Sequence, residues 1–237
     1  LFGLAGLRLE EALEPPGGGE YPDPLEELPH AMSLRLGSYD SRRRELLRKG
    51  AEWFRRRASK WAEYPRVPEV SCEAFRLRFA DGATVELGAT KIRFTKPMFH
   101  GVEFSRVGWV VGVVVEHGSE KLLYTSDVNG PIIEDYADWV VRERPDYLLL
   151  DGPATYTLGY MLNATNLRRA VENIKRIVAE CAPKLVLLDH HLPREPRFRD
   201  RLAEVYGLAE REGVRVTTVA EYLGEVPAVL RYLAETG

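Results

Sequence analysis

Short apolar runs separated by turn residues fill the chain beyond residue 68, whereas the stretch before it reads as loop and one long helix. Over residues 41–60, Leu46, Leu47, Ala51 and Phe54 recur near a 3.6-residue period, which predicts an amphipathic helix. The other face of that helix carries Arg42, Arg43, Arg44, Arg48, Arg55, Arg56 and Arg57. Residues 74–79 alternate, Ala80-Asp81-Gly82 is a turn signal, and residues 84–87 and 90–95 are extended on either side of Gly88. Residues 107–116 and 121–125 flank His117-Gly118-Ser119-Glu120 and predict a hairpin of buried strands. From Ile132 onward the two periodicities alternate: helix 136–142, strand 147–150, helix 167–180, strand 184–188, helix 199–212, strand 214–217 and a helical tail. Hairpin strands followed by β–α alternation predict a layered α/β fold with mixed sheets.

The first 40 residues break this pattern. Residues 1–13 are expected to form a short, poorly capped helix, after which Pro15-Pro16-Gly17-Gly18-Gly19 and then Pro22, Pro24 and Pro29 predict loop. The chain therefore divides into an irregular segment, 1–40, and a domain, 41–237. Residue 1 is Leu rather than Met, so an unusual or processed start, or a beginning part-way through a longer reading frame, is expected.

Composition narrows the function classes. With 237 residues and 45% apolar content the chain can bury a proper core. A net charge of −3 argues against a surface coated with basic residues for nucleic acid, though not against a local basic patch. Cys72 and Cys181 stand far apart without a C-x-x-C partner, which argues against a disulfide framework or a thiolate zinc site and points to a reducing, cytoplasmic setting. No apolar stretch approaches the roughly 20 residues needed to span a bilayer. Glutamine is absent and asparagine scarce beside abundant Arg and Glu, a pattern that fits a thermophile.

Three polar segments follow apolar runs and carry the candidate chemistry: His100-Gly101, Thr125-Ser126-Asp127 and Asp189-His190-His191. Imidazole and carboxylate are ligands that zinc, manganese or iron would take, and only a folded sheet could bring residues so far apart together. Each has a plainer reading. His100 could be a loop histidine bonded to backbone, Asp127 a turn cap beside Asn129-Gly130-Pro131, and Asp189 a cap with two loop histidines. In an extended segment His190 and His191 would point to opposite faces, so one would ligate while the other, or Asp189, supports it. Asp151-Gly152-Pro153, with Thr155 and Tyr156, forms a further strand-end loop that could line the same cleft. The arginine-rich helix reads as a solvated face or ion-pair network, ahead of a platform for nucleic acid. No phosphate loop, nucleophile elbow or dinucleotide fingerprint occurs.

Taken in order, several blocks resemble the later metal motifs of the metallo-β-lactamase superfamily, and in particular an uncharacterised archaeal family within it predicted to be metal-dependent hydrolases. They are Gly88-Ala89-Thr90-Lys91-Ile92-Arg93-Phe94, Pro97 through His100-Gly101, Tyr124-Thr125-Ser126-Asp127-Val128-Asn129-Gly130-Pro131, residues 152–160, Leu188-Asp189-His190-His191-Leu192 and Ala220-Glu221-Tyr222-Leu223-Gly224. The resemblance implies an αββα sandwich with metals at one edge of its sheets, incomplete at the N-terminus. It implies that His100 completes a first metal site, that Asp127 bridges two metals and is the catalytic carboxylate, and that His190 or His191 completes the second, His190 being preferred because it sits nearer the strand end. The superfamily's H-x-H-x-D-H motif has no counterpart; His30 stands alone, and the sheet half that carries the motif is absent or replaced by residues 1–40.

By the same resemblance the cofactor is a divalent metal, zinc first and manganese or iron as alternatives. The activity is hydrolysis of a small-molecule or phosphate-bearing substrate by metal-activated water. The alternative is a non-catalytic binding or scaffold protein derived from the same fold, with a nucleic-acid-binding module using the basic helix as a third reading.

Overall fold

The structure, a computed structural model, describes residues 6, 8–18, 21–73 and 75–236. A short helix α1 (Leu9–Ala12) and a 3-10 turn (Pro24–Glu27) precede α2 (Pro29–Ser33) and the long α3 (Asp40–Ala62). Residues 1–5 and 7 of the expected N-terminal helix lie outside the described residues. The stretch expected to be irregular is partly helical because Pro24 and Pro29 each stand at the start of a helical turn. There a fixed φ is preorganised and no amide hydrogen is needed.

Two minor hairpins flank the main sheet. β1 (Val70–Ser71) pairs with β2 (Arg76–Leu77), all that forms of the strand expected over residues 74–79; Ala74 is not among the described residues. β5 (Met98–Phe99) pairs with β6 (Trp109–Val110). The single strand expected over 107–116 is in fact two. The chain leaves β6 at Val111-Gly112 and re-enters the main sheet as β7 (Val113–His117).

The main sheet has seven strands in the order β11-β10-β9-β8-β7-β4-β3. Antiparallel pairs join β3 (Thr84–Leu87), β4 (Thr90–Phe94), β7 and β8 (Glu120–Tyr124). β8, β9 (Tyr147–Leu150), β10 (Leu185–Leu188) and β11 (Arg215–Thr217) are parallel. The β7–β8 hairpin turns over Gly118-Ser119, with Gly118 at φ +60° supplying the backbone that a two-residue turn demands.

The parallel strands advance in one direction across the sheet. Right-handed crossovers then place every connecting helix on the same face: α4 (Glu134–Glu143), α5 (Ala164–Cys181) and α7 (Ala203–Glu212). The burial pattern agrees. Val114, Leu123, Leu148, Leu150, Val186 and Leu188 are buried under Val140, Ile174, Ile177, Val178 and Val205. Their alternating neighbours Leu149, Leu185 and Leu187 are only half-buried, and Leu122 and Tyr124 are exposed. The expected mixed α/β class is therefore present as one sheet layer and one helical layer, with an apolar sheet face left open. The helix expected over 199–212 breaks at fully buried Leu202 into α6 (Phe198–Arg201) and α7; the tail forms α8 (Val219–Tyr222) and α9 (Ala228–Thr236).

A second core seats α3 and the Pro24–Ser33 turns on β5 and α4. Phe54, Phe99, Phe104, Val128, Ile133 and Tyr136 are buried there, with Trp61 edge-on to Trp109 at 5.3 Å. Among the described residues no helix is long and apolar enough to cross a membrane.

Candidate metal centre

β4, β8, β9 and β10 run in one direction, so their C-terminal ends share one edge of the sheet. Loops leaving the carboxyl ends of strands are where open α/β sheets place ligands. His100 follows β4 by way of β5, Asp127 follows β8, Asp151 follows β9, and His190 and His191 follow β10. Residues remote in sequence meet for that reason alone.

One nitrogen of His100, one carboxylate oxygen of Asp127 and one nitrogen of His191 lie within 4.8 Å of one another. His100 Nε2 is 2.7 Å from Asp127 Oδ2, and His191 Nε2 is 2.7 Å from Asp127 Oδ1. The second contact lacks hydrogen-bond geometry: both atoms are buried, and neither has a hydrogen-bond partner. Buried polar atoms are ordinarily satisfied. Two that converge without satisfying each other are a donor set awaiting a shared electrophile, so the residues fit a cation.

His190 stands at the rim with half its side chain exposed, its Nε2 3.3 Å from Asp127 Oδ2. The preference for His190 over His191 is thus reversed by the geometry, which puts His191 inside. The expectation that the two imidazoles must diverge is also corrected. His190 has φ +61°, so the backbone bends there instead of continuing extended, and both rings reach the same carboxylate.

The loops that hold these groups are strained and tightly pinned. Ser126 and Asn129 have φ of +59° and +54° on either side of Asp127. Positive φ costs a non-glycine residue energy and persists where neighbours enforce it. Here the enforcer is Asp151, almost fully buried, whose two carboxylate oxygens accept the amide hydrogens of Asn129 at 2.6 Å and Gly130 at 3.1 Å. Gly152 beside it has φ +70°, and a Cβ there would come within 2.6 Å of Leu192 Cβ, so only glycine lets the His191 turn close down. On the His100 loop, Gly101 at φ +89° packs against Asn129, whose Nδ2 is 3.5 Å from His100 Nδ1.

Burial pushes the Asp151 carboxyl well above the usual carboxylate range, helped by the neighbouring Asp127 carboxylate and opposed by the two backbone amides. Asp127 moves the other way. Burial would raise it, but the neighbouring His191 imidazole, then Asp151 and His100, hold it below the usual range. The two carboxyls are thus pushed in opposite directions: the surroundings favour the charged form of the aspartate that points into the site and the neutral form of the one behind it.

Further out, the Tyr156 hydroxyl lies 3.2 Å from His191 Nδ1, and Arg194 Nη1 donates to that hydroxyl at 3.2 Å. The His100 loop is moored from below by Glu103, whose carboxylate binds Arg43 at 2.7 Å and Arg169 at 2.9 Å, while Arg169 also binds Glu134 at 2.7 Å. All four side chains are buried. Arg43, read from the sequence as part of a solvated face or ion-pair network, belongs to a buried ion-pair network. Arg194, Glu103 and Arg169 were not legible as site-building residues; Asp151 and Tyr156 were flagged only by their strand-end loop. Asp189 gives the site no more than its backbone, its amide donating to Leu150 O at 2.9 Å.

No protein-family model matches the chain. In sequence it is similar to archaeal proteins called UPF0282. It is 38% identical to that of Methanopyrus kandleri over 152 residues, 64% of this chain and 50% of the relative. It is 36% identical to that of Methanocaldococcus jannaschii over 152 residues, 64% of this chain and 48% of the relative. It is 34% identical to that of Metallosphaera sedula over 148 residues, 62% and 47%. The chain thus spans about half the length of the curated relatives it matches, and the expected resemblance to an uncharacterised archaeal family is borne out. Distant structural likenesses include the metallo-beta-lactamase fold protein YhfI from Bacillus subtilis, with a TM-score of 0.36 and 18% identity over 60% of this chain and 51% of that one. A variant of CmlA beta-hydroxylase has a TM-score of 0.37 and 15% identity over 59% and 31%.

Proposed function

We propose that this chain supplies a metal-binding centre of a metal-dependent hydrolase, with His100, Asp127 and His191 as ligands and His190 at its mouth. The observation that carries the reading is the meeting of Asp127 Oδ1 and His191 Nε2, buried, 2.7 Å apart and unsatisfied by each other. Two imidazoles and a carboxylate suit zinc best, and manganese or iron also accept that donor set. When bound, a divalent ion there supplies Lewis acidity, polarising an ester carbonyl or phosphoryl group and making water nucleophilic at neutral pH.

The chain's own residues do the rest. Asp127 is ionised and can ligate without first losing a proton, because His191 and His100 hold its carboxylate charged. The Tyr156 hydroxyl at Nδ1 orients the His191 ring so that Nε2 faces inward. Asp151 holds the Asp127 turn in its strained form through the amides of residues 129 and 130. His190, half-exposed beside Asp127, is placed to take up or release a proton at Nε2 as substrate is hydrolysed. Covalent catalysis by Cys181 is disfavoured, since burial pushes its thiol up and keeps it protonated.

The test is metal stoichiometry and affinity in the wild type, His191→Ala and His190→Ala, measured by elemental analysis and competition with a chromogenic chelator. The expected result is stoichiometric zinc in the wild type. Affinity should fall roughly 100-fold or more in His191→Ala, and less than about tenfold in His190→Ala. A wild type without stoichiometric metal overturns the proposal, and equal losses in the two variants overturn the ligand assignment.

A further inference from the structure

Tyr156 sits in a 3-10 turn (Thr155–Thr157), and Arg194 ends another (Leu192–Arg194) that begins directly after His191. The Arg194 guanidinium donates to Tyr156 Oη at 3.2 Å and lies 5.7 Å over its ring, and the same oxygen is 3.2 Å from His191 Nδ1. A positive charge is thereby fixed two hydrogen-bond lengths from a metal-ligand imidazole.

Among the described residues this arginine has no counter-ion, a trait it shares with other surface arginines such as Arg55 and Arg106; what sets it apart is the tyrosine it bonds. Arg93, Arg169, Arg176, Arg199 and Arg201 each bind a carboxylate. Among the described residues none pairs with Arg194, and the adjacent Glu195 is taken by Arg201 at 3.0 Å. An exposed arginine resting on a tyrosine is a common surface contact. Here, however, the tyrosine oxygen is also the partner of a buried site histidine, and that changes the hydrogen accounting. If His191 uses Nε2 as a ligand, its ring hydrogen must sit on Nδ1 and is donated to the phenol oxygen. Arg194 occupies that oxygen's other lone pair. The phenol hydrogen is left with no acceptor in this cluster and turns outward, beside guanidinium N–H groups that are equally unused.

We infer that Arg194 and Tyr156 form an oxyanion subsite beside the metal centre, built to bind a phosphate group of the substrate. The substrate class rests on the hydrolase reading above. A phosphate offers enough oxygens to accept the guanidinium fork and the phenol hydrogen together, while one ester oxygen leads on to the rest of the substrate.

Inorganic phosphate is the probe, titrated calorimetrically into the full chain with and without zinc. Arg194→Met should weaken phosphate binding by about tenfold or more, Arg194→Lys less, and Arg197→Met, a nearby exposed arginine paired with Asp200, hardly at all. Zinc content should be the same in all four proteins. Unchanged phosphate affinity in Arg194→Met overturns the subsite and leaves the metal centre standing. An equal loss in Arg197→Met also overturns it, by reducing the effect to general charge. Should the wild type hold no zinc, the hydrolase reading falls; Arg194-dependent phosphate binding by the zinc-free chain would then still support the subsite, and its absence would overturn it.

Discussion

Asp151 is the residue whose replacement separates shape from hydrogen bonding. Asp151→Asn keeps the side-chain outline but presents an NH2 group to a cradle of two backbone amide donors, the N–H groups of Asn129 and Gly130. One of those donors loses its acceptor in a buried place, at a cost of about 1–3 kcal/mol. Chemical denaturation of wild type and variant checks that figure, and the turn that carries Asp127 should loosen with it, so that zinc affinity falls too. The sequence made the candidate ligands legible at this scale because polar residues ended apolar strands: His100, Asp127 and the histidine pair were all singled out on that ground. Choosing between His190 and His191 was beyond it, since the choice depends on a left-handed backbone angle at His190 that no pattern of side chains announces. Arg194 was illegible for a related reason: an unpaired arginine is recognised only once the carboxylates that could have paired with it are located.

At the scale of elements, α5 shows what periodicity catches and what it misses. Its apolar stripe, Ala170, Ile174, Ile177 and Val178, was readable, but the helix begins at Ala164 rather than 167 because Asn163 caps it, accepting the Asn166 amide at 2.9 Å. A second, polar stripe of Asn166, Arg169 and Asn173 is also buried. Through Arg169 it ties α5 to α4 at Glu134 and to the His100 loop at Glu103. Burial alone would raise the Glu103 carboxyl, but Arg169 and then Arg43 more than offset it and leave it below the usual value. A depressed carboxylate stabilises the fold above its unfolded pKa and loses that contribution as the pH falls through the folded one. Arg169→Met should therefore cost about 3–5 kcal/mol near neutrality, by stranding buried Glu134 and leaving buried Glu103 with Arg43 alone. The penalty should shrink as acid protonates them. Unfolding curves at pH 7 and pH 4 test the sign: a penalty independent of pH would mean that Arg169 acts by packing alone.

For the molecule as a whole, the order of the parallel strands is the decisive fact, and it was only half visible beforehand. Alternating patterns predicted β–α units and hence an α/β sheet, but not that successive strands would advance in one direction and leave the opposite face without helices. Nor did they show the break at Val111-Gly112, where one apolar run serves two sheets. The arrangement also separates the molecule into two poles. The candidate ligands and Asp151 leave the carboxyl ends of β4, β8, β9 and β10, whereas the Gly118-Ser119 turn closes the β7–β8 hairpin at the far end of the same strands. Five residues of β8, some 16 Å of extended chain, separate that turn from the Asp127 loop. It is therefore a natural place for a graft. An epitope peptide spliced between Gly118 and Ser119 should leave zinc stoichiometry untouched, as elemental analysis of the spliced protein would show, and would give a handle for immobilising the protein with its candidate metal centre facing the solvent.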